Sequence, residues 1–139
     1  ETKLWGEDLA IPGILASGFF DKELPMGDNL VVGKPFVDKP IRFDGYYKYL
    51  PQDNDTLIIL IALTHYNTDD NMQDTIAQAE LVSNQVIENY TPFSLELNYH
   101  NNQTPDSIHI VLLSSAGGKN MQGNPGSVLF IDELSLVYE

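Results

Sequence analysis

The segment IRFDGYYKY, residues 41–49, holds two cations, one carboxylate and three tyrosines. Successive side chains of an extended strand point to opposite faces. One face therefore carries Arg42, Asp44, Tyr46 and Lys48, and the apolar, core-facing side carries Ile41, Phe43, Gly45, Tyr47 and Tyr49. Charged groups can bond sugar hydroxyls, and an aromatic ring can stack on sugar C–H groups. The pattern predicts a glycan-binding face with Tyr46 as its platform, although a solvated face with cross-strand ion pairs fits it as well.

A second polar face follows from residues 93–100, FSLELNYH. Alternation turns Phe93, Leu95, Leu97 and Tyr99 inward, and it turns Ser94, Glu96, Asn98 and His100 outward. If this strand and the strand at 41–49 are neighbours in one sheet, their polar faces form a groove. Glu96 and Asn98 are therefore predicted to bind ligand beside the residues of the first strand.

Two aromatic residues outside these strands are further candidates for ligand binding. Trp5, the single tryptophan, lies in an irregular N-terminal stretch, where it is either a sugar-stacking platform or a plug over one end of the sandwich. Tyr66 follows His65 at the end of an apolar run, before an acidic loop. It is predicted to be exposed near the tip of that loop.

Composition excludes several classes of protein. A length of 139 residues predicts one domain with a single core. With 20 acidic and 7 basic residues, the net charge of -13 disfavours binding to nucleic acid and to anionic membranes. The absence of cysteine excludes disulfides and thiolate metal sites, and no apolar run approaches the roughly 18 residues of a membrane span. Because the chain begins at Glu1, we expect it to be part of a longer protein.

Period-two runs between clusters of Gly, Pro, Asn and Asp predict strands rather than helices. The runs are Pro40 to Tyr49, Thr56 to Tyr66, Thr75 to Leu81, Phe93 to Tyr99, Ser107 to Ser114 and Ser127 to Tyr138, with a less regular strand at Ala16 to Phe20. Residues 71–88 also fit a helical stripe, but two short strands are favoured there. The pattern predicts an all-β, antiparallel β-sandwich, and the strand lengths favour a jelly roll over an immunoglobulin-like sandwich.

Six segments resemble, in order and spacing, the family named putative carbohydrate metabolism domain, found in secreted bacterial proteins. They are GKPF (33–36), KPIRFDGYYKY (39–49), DND (53–55), YTPFSLELNY (90–99), TPDSIHIVLLSS (104–115) and GSVLFIDELSLVY (126–138). The resemblance spans about residues 25 to 139. It implies a jelly roll similar to carbohydrate-binding modules and galactose-binding-like domains. It also implies that residues 1–139 are one domain, usually the C-terminal part of an exported or surface-attached protein.

Asp132, in FIDEL, is the candidate metal ligand. A period-two count places it on the inward face with Val128, Phe130, Leu134 and Leu136, and a buried carboxylate must be paired or ligated. Jelly rolls that bind carbohydrate often hold a structural calcium through an acidic residue of a closing strand, so the resemblance implies calcium at Asp132. Glu7, with Glu1 and Asp8, is a possible helper, because calcium takes six to eight oxygen ligands. A simple hydrogen-bonded cap is the alternative.

Together these features predict a non-catalytic carbohydrate-binding module of a secreted or cell-surface bacterial protein. The expected partners are a polysaccharide or glycan and other domains of the parent chain. An adhesion or assembly module that binds another protein is the first alternative. The second is a glycoside hydrolase that uses Asp44 and Glu96 as its pair of carboxylates.

Overall fold

The computed structural model describes residues 2–4, 7–9, 14–20, 30–115 and 126–139, with side chains for 14–17, 33–115 and 126–139. Within these ranges the chain forms strands and no helix. The strands are β1 Thr2–Leu4, β2 Glu7–Leu9, β3 Ile14–Ala16, β4 Gly18–Phe20, β5 Leu30–Val32, β6 Lys34–Pro35, β7 Arg42–Leu50, β8 Leu57–Asn67, β9 Met72–Ser83, β10 Ile87–Glu96, β11 Asn98–Tyr99, β12 Ser107–Leu113 and β13 Val128–Val137.

Two antiparallel sheets form the body of the fold. The small sheet has the order β10-β7-β13, and the large sheet has the order β11-β9-β8-β12-β3, with β6 also pairing with β12. Two further pairs, β1 with β2 and β4 with β5, are short hairpin-like ladders. The all-β, antiparallel prediction is confirmed.

The pairing of the longer strands is nested, as in a rolled-up hairpin. β7 pairs with β13, the last strand; β8 pairs with β12; and β9 pairs with β11, which continues directly from β10. The chain thus passes between the two sheets several times, from β7 to β8, from β9 to β10, from β10 to β11 and from β12 to β13, which is the connectivity of a jelly roll. The fold class predicted from strand length and turn spacing is therefore confirmed.

The core lies between the small and large sheets. Phe43, Tyr47 and Tyr49 of β7 are buried there, as alternation predicts. They meet the fully buried residues of β8, which are Leu57, Ile59, Ile61 and Leu63. Burial of such side chains stabilises the fold by about 1.5–3 kcal/mol each, so the sandwich holds β7 rigidly with its even-numbered residues outward.

Residues 72–83 form one long strand, β9, rather than a helix or two short strands. Every residue of β8 from Leu57 to Asn67 has a partner in β9, with a single register shift between Leu63 and Thr64. The pairing explains why the helical stripe in the sequence is misleading: Ala77, Ala79 and Leu81 alternate inward and pack on the core.

Candidate functional site

The outer face of the small sheet brings most of the predicted ligand-binding residues together. β7 and β10 are neighbours, with Glu96 opposite Arg42, Ser94 opposite Asp44, and Pro92 opposite Tyr46. The structure thus places the two polar faces side by side, a point that the sequence left open. Pro92 has no N–H to donate, and an edge strand such as β10 is where a sheet tolerates proline.

Asp44 is the centre of a charged cluster at one end of this face. Arg42 Nε and Nη2 donate to Asp44 Oδ1 and Oδ2 at 3.3 and 3.2 Å, and Ser94 Oγ donates to Oδ1 at 2.6 Å. The hydrogen bonds from Arg42 and then Ser94 hold the pKa of the Asp44 carboxyl below its usual value, because they stabilise the ionised form. Asp44 thus stays an acceptor under mildly acidic conditions.

The carboxyl carbon of Asp44 is expected to titrate below pH 3.8, its ordinary midpoint, when followed by NMR. Arg42→Gln should move the midpoint upward, because the first cause of the depressed pKa is lost. Because the pKa of Asp44 is lower in the folded than in the unfolded protein, its ionisation stabilises the fold at pH values above the unfolded pKa. This contribution to stability disappears as the pH falls through the folded pKa. An unchanged midpoint in Arg42→Gln would show that the ion pair does not form in solution.

The other end of the face is aromatic. Lys48 Nζ lies 4.9 Å from the centroid of the Tyr90 ring and 4.5 Å from that of Phe130, within the range of cation–π attraction. Tyr46 is 40% exposed, and it lies between Pro92 on β10 and Asp132 on β13. Three exposed rings and one ammonium group thus lie next to the charged cluster.

The prediction that Asp132 faces the core is wrong. It is exposed, it lies opposite Tyr46, and its Oδ1 accepts the backbone N–H of Glu133 at 2.8 Å. β13 has a register shift between Asp132 and Ser135, where Glu133 adopts φ 51°. A bulge adds a residue to one strand, so counting back in twos from Leu136 reverses the faces of residues 128–132.

The described residues do not fit the predicted calcium site at Asp132. Its exposure removes the reason for ligation, and the residues with described side chains contain no group of three carboxylates or histidines placed to hold a metal. Glu7 lies on β2, whose side chains are outside the described part of the chain. Calcium binding stays a prediction, which a thermal melt with and without a chelator tests: a decrease of several degrees supports it, and an unchanged melt removes it.

Asn98 lies apart from the small-sheet residues. The Leu97 N–H still donates to Ile41 O at 3.0 Å, but Asn98 itself pairs with Gln78 in β9. The chain therefore passes from the small to the large sheet between Glu96 and Asn98. Alternation gives the inward and outward sides correctly here, yet it does not indicate which sheet a residue joins.

Tyr66 lies at one end of the sandwich, apart from the small-sheet face. It is 42% exposed, and its hydroxyl donates to Asn71 Oδ1 at 3.1 Å. Its backbone N–H donates to Asp106 Oδ2 at 2.7 Å. Exposure near a loop is confirmed, and ligand binding by Tyr66 stays a prediction. Trp5 lies outside the described residues.

Sequence reasoning missed Tyr90 and Phe130 as members of the candidate site. Tyr90 lies in the irregular part of the β10–β7 pairing, between Ile87 and Thr91, where simple alternation does not give the direction of a side chain. A period-two count places Phe130 in the core because it does not include the extra residue of the bulge at Glu133. The adjacent acidic residues Asp132 and Glu133 were the available signal, since two consecutive charges interrupt a period-two apolar pattern.

The fold and this surface define a jelly-roll domain with an exposed polar and aromatic sheet face. A family model described as putative carbohydrate metabolism domain matches residues 6–137. The chain belongs to this family, as the sequence segments predict.

Two solved structures are similar to the chain over 92% of its length. One is named a putative glycoside hydrolase from Bacteroides thetaiotaomicron, with a TM-score of 0.77 and 23% identity. The other is named a putative glycoside hydrolase from Bacteroides vulgatus, with a TM-score of 0.73 and 27% identity. The chain spans 47% and 65% of these two proteins. No curated protein matches the chain.

Among the described residues, no helix has the length and apolar character needed to cross a membrane.

Proposed function

We propose that the chain is a non-catalytic carbohydrate-binding module of a secreted or cell-surface bacterial protein. The outer face of the small sheet is the proposed binding surface. One observation carries the proposal: strand register places the Arg42–Asp44 pair, Ser94 and Glu96 on the same face as the exposed rings of Tyr46 and Phe130, and Lys48 lies over the exposed ring of Tyr90. Membership of a carbohydrate metabolism family supports the same ligand class.

The two ends of the face offer the two interactions that sugar recognition needs. Tyr46 offers a partly exposed aromatic surface for stacking on the apolar side of a sugar ring. Arg42, Asp44 and Glu96 offer donors and acceptors for the hydroxyls at the edge of the ring. The existing bonds from Arg42 and Ser94 hold Asp44 in place, which reduces the entropy lost on binding.

Electrostatics favours a neutral glycan. The small-sheet face carries Asp44, Glu96 and Asp132 against Arg42 and Lys48, and the whole chain has a net charge of -13. A polyanionic glycan would be repelled by the chain's overall field. We therefore expect neutral polysaccharides to bind more tightly than uronic acid polymers.

A catalytic role for Asp44 and Glu96 is the weaker alternative. A general acid needs a raised pKa, whereas hydrogen bonds from Arg42 and Ser94 lower the pKa of Asp44. The chain also spans less than two thirds of the two similar proteins named as putative hydrolases, so any active site of theirs can belong to the remaining part. Hydrolysis that is lost in both Asp44→Asn and Glu96→Gln would support an enzyme.

An adhesion or assembly module has one observation in its favour. Leu50 and Val128 are paired across β7 and β13, and both are about 40% exposed, next to Phe130. Such an apolar patch suits contact with another domain of the parent chain or another protein. A defined dimer in solution together with no glycan binding would favour this function.

A glycan array tests the proposal directly. The wild type is expected to bind a subset of neutral glycans, and Tyr46→Ala should weaken that binding about tenfold or more, because buried aromatic contacts contribute about 2 kcal/mol or more to an interface. Tyr66→Ala tests the competing site at the end of the sandwich, since Tyr66 has nearly the same exposure as Tyr46. Binding that depends on Tyr66 and not on Tyr46 would contradict the small-sheet site.

A further inference from the structure

A separate cavity of about 310 Å³ opens on the outer face of the large sheet. It is lined by Leu60, Gln78, Ala79, Glu80 and Asn98. The inward residues of β8, such as Ile59 and Ile61, are fully buried between the sheets, so Leu60 lies on the opposite, outer face. The cavity therefore lies on the other side of the sandwich from Tyr46.

Strand register places the polar groups of the cavity side by side. Gln78 of β9 pairs with Asn98 of β11, and Glu80 of β9 pairs with Leu60 of β8. Directly paired residues in an antiparallel sheet have Cβ atoms about 4.5–5.5 Å apart. The two side-chain amides and the one carboxylate thus lie around the half-buried Leu60.

These polar side chains have no hydrogen-bond or ion-pair partner within the described part of the fold. The side chains of Gln78, Glu80 and Asn98 are exposed, and none of them makes a hydrogen bond or an ion pair to another described residue. Amides can donate and accept at the same time, and a carboxylate can accept from two hydroxyls. The cavity offers these groups around a small apolar floor, which is the usual composition of a small-ligand site.

The charge of the cavity restricts its ligand. Glu80 is the single ionisable group among the described residues that line the cavity, so none of these residues offers a positive charge to an anionic ligand. A volume of about 310 Å³ is near the lower end of the usual range for ligand pockets. These features fit a neutral ligand about the size of one sugar ring.

We propose that this cavity is a second binding site, which takes a single uncharged sugar unit through Gln78, Glu80 and Asn98. It is independent of the small-sheet face, so the chain can contact a glycan, or two glycan chains, on opposite sides. Two weak sites on one module increase the effective affinity for a polymer, provided both can be reached.

NMR titration of the ¹⁵N-labelled protein tests the second site. The probes are glucose, galactose, mannose, xylose and N-acetylglucosamine at millimolar concentration, with galacturonate as the anionic counterpart. At least one neutral sugar is expected to shift the backbone amides of Gln78, Glu80 and Asn98. The Gln78→Ala/Asn98→Ala double variant should weaken this binding about tenfold, because each lost hydrogen bond costs about 0.5–1.5 kcal/mol.

Two control variants separate this site from the small-sheet face. Tyr46→Ala should leave the shifts at Gln78 and Asn98 unchanged, and so should Gln85→Ala, which removes an exposed amide outside the cavity. If no neutral sugar shifts these amides, or if galacturonate binds as tightly as the neutral sugars, the proposal of a second site is wrong. Loss of these shifts in Tyr46→Ala would also overturn it, because the two sites would then not be independent.

Discussion

Gly45→Ala is expected to lower the free energy of unfolding by about 1–3 kcal/mol, the usual cost of overpacking a core. An added Cβ at residue 45 would lie 2.7 Å from Phe93 Cζ and 2.8 Å from Leu134 Cδ2. Phe93 cannot easily move away, because its ring packs edge to face on Phe43 and Tyr47, with centroids 5.7 and 6.0 Å away. The glycine of GYYKY therefore makes room for the aromatic core beneath the candidate binding face.

Chemical denaturation of four proteins measures this effect: the wild type, Gly45→Ala, Phe93→Leu and the double variant. Phe93→Leu removes the ring atoms that meet the added methyl group. Gly45→Ala should therefore cost less in the Phe93→Leu background, with a coupling energy of about 0.5–3 kcal/mol. An equal cost in both backgrounds would show that contact with the Phe93 ring is not the cause.

Asp55→Ala is expected to have a comparable effect, about 1–3 kcal/mol, because it removes a buried carboxylate and leaves its two part-buried donors unpaired. Asp55 is 8% exposed and accepts the Thr56 N–H and the Ser127 hydroxyl, each at 2.8 Å. Ser127 Oγ in turn accepts the Gln52 N–H at 3.0 Å. One carboxylate thus connects the β7–β8 turn to the start of β13.

Asp69→Ala is the matched control for Asp55→Ala. Asp69 is an exposed aspartate in another turn, and surface substitutions of this kind usually stay within about 0.5 kcal/mol. Tyr49 gives a second signal: burial, and then the charge of Asp55, raises its pKa to about 12. In Asp55→Ala that pKa should decrease. Equal stability of the two variants would show that Asp55 is not a structural link.

Much of the fold could be predicted from period-two alternation because both sheets have one buried face. In β7, Phe43, Tyr47 and Tyr49 are buried while Asp44 and Tyr46 are outward, as the sequence indicates. The charged part of the candidate site follows from the same rule. Sidedness is a local property of an extended chain, so a single sequence is enough to predict it.

Phe130 and Asp132 could not be placed on the outer face from the sequence, because their direction depends on one backbone irregularity. Glu133 is a non-glycine residue at positive φ, a conformation few residues adopt. Its bulge moves Phe130 and Asp132 from the inner to the outer face, next to Lys48 and Tyr46. The adjacent charges of Asp132 and Glu133 indicate an interruption of the strand pattern, but the position of the bulge depends on how β13 pairs with β7.

The two separate surfaces also depend on pairing rather than on pattern. Glu96 and Asn98 are two residues apart on the same side of one apparent strand, yet Glu96 pairs with β7 and Asn98 pairs with β9. A crossing between sheets preserves alternation, so the sequence pattern does not show that Glu96 and Asn98 lie on two different faces. The cavity beside Asn98 exists because of that crossing, which pairs Asn98 with Gln78.

A crystal structure of the chain with its best-binding neutral glycan tests the central claim most directly. We predict a sugar ring stacked on Tyr46, with hydroxyls within hydrogen-bonding distance of Arg42, Asp44 or Glu96. A second sugar in the Gln78–Asn98 cavity would be compatible with this result. A glycan bound only at the Tyr66 end, or only in that cavity, with the small-sheet face empty, would contradict the account.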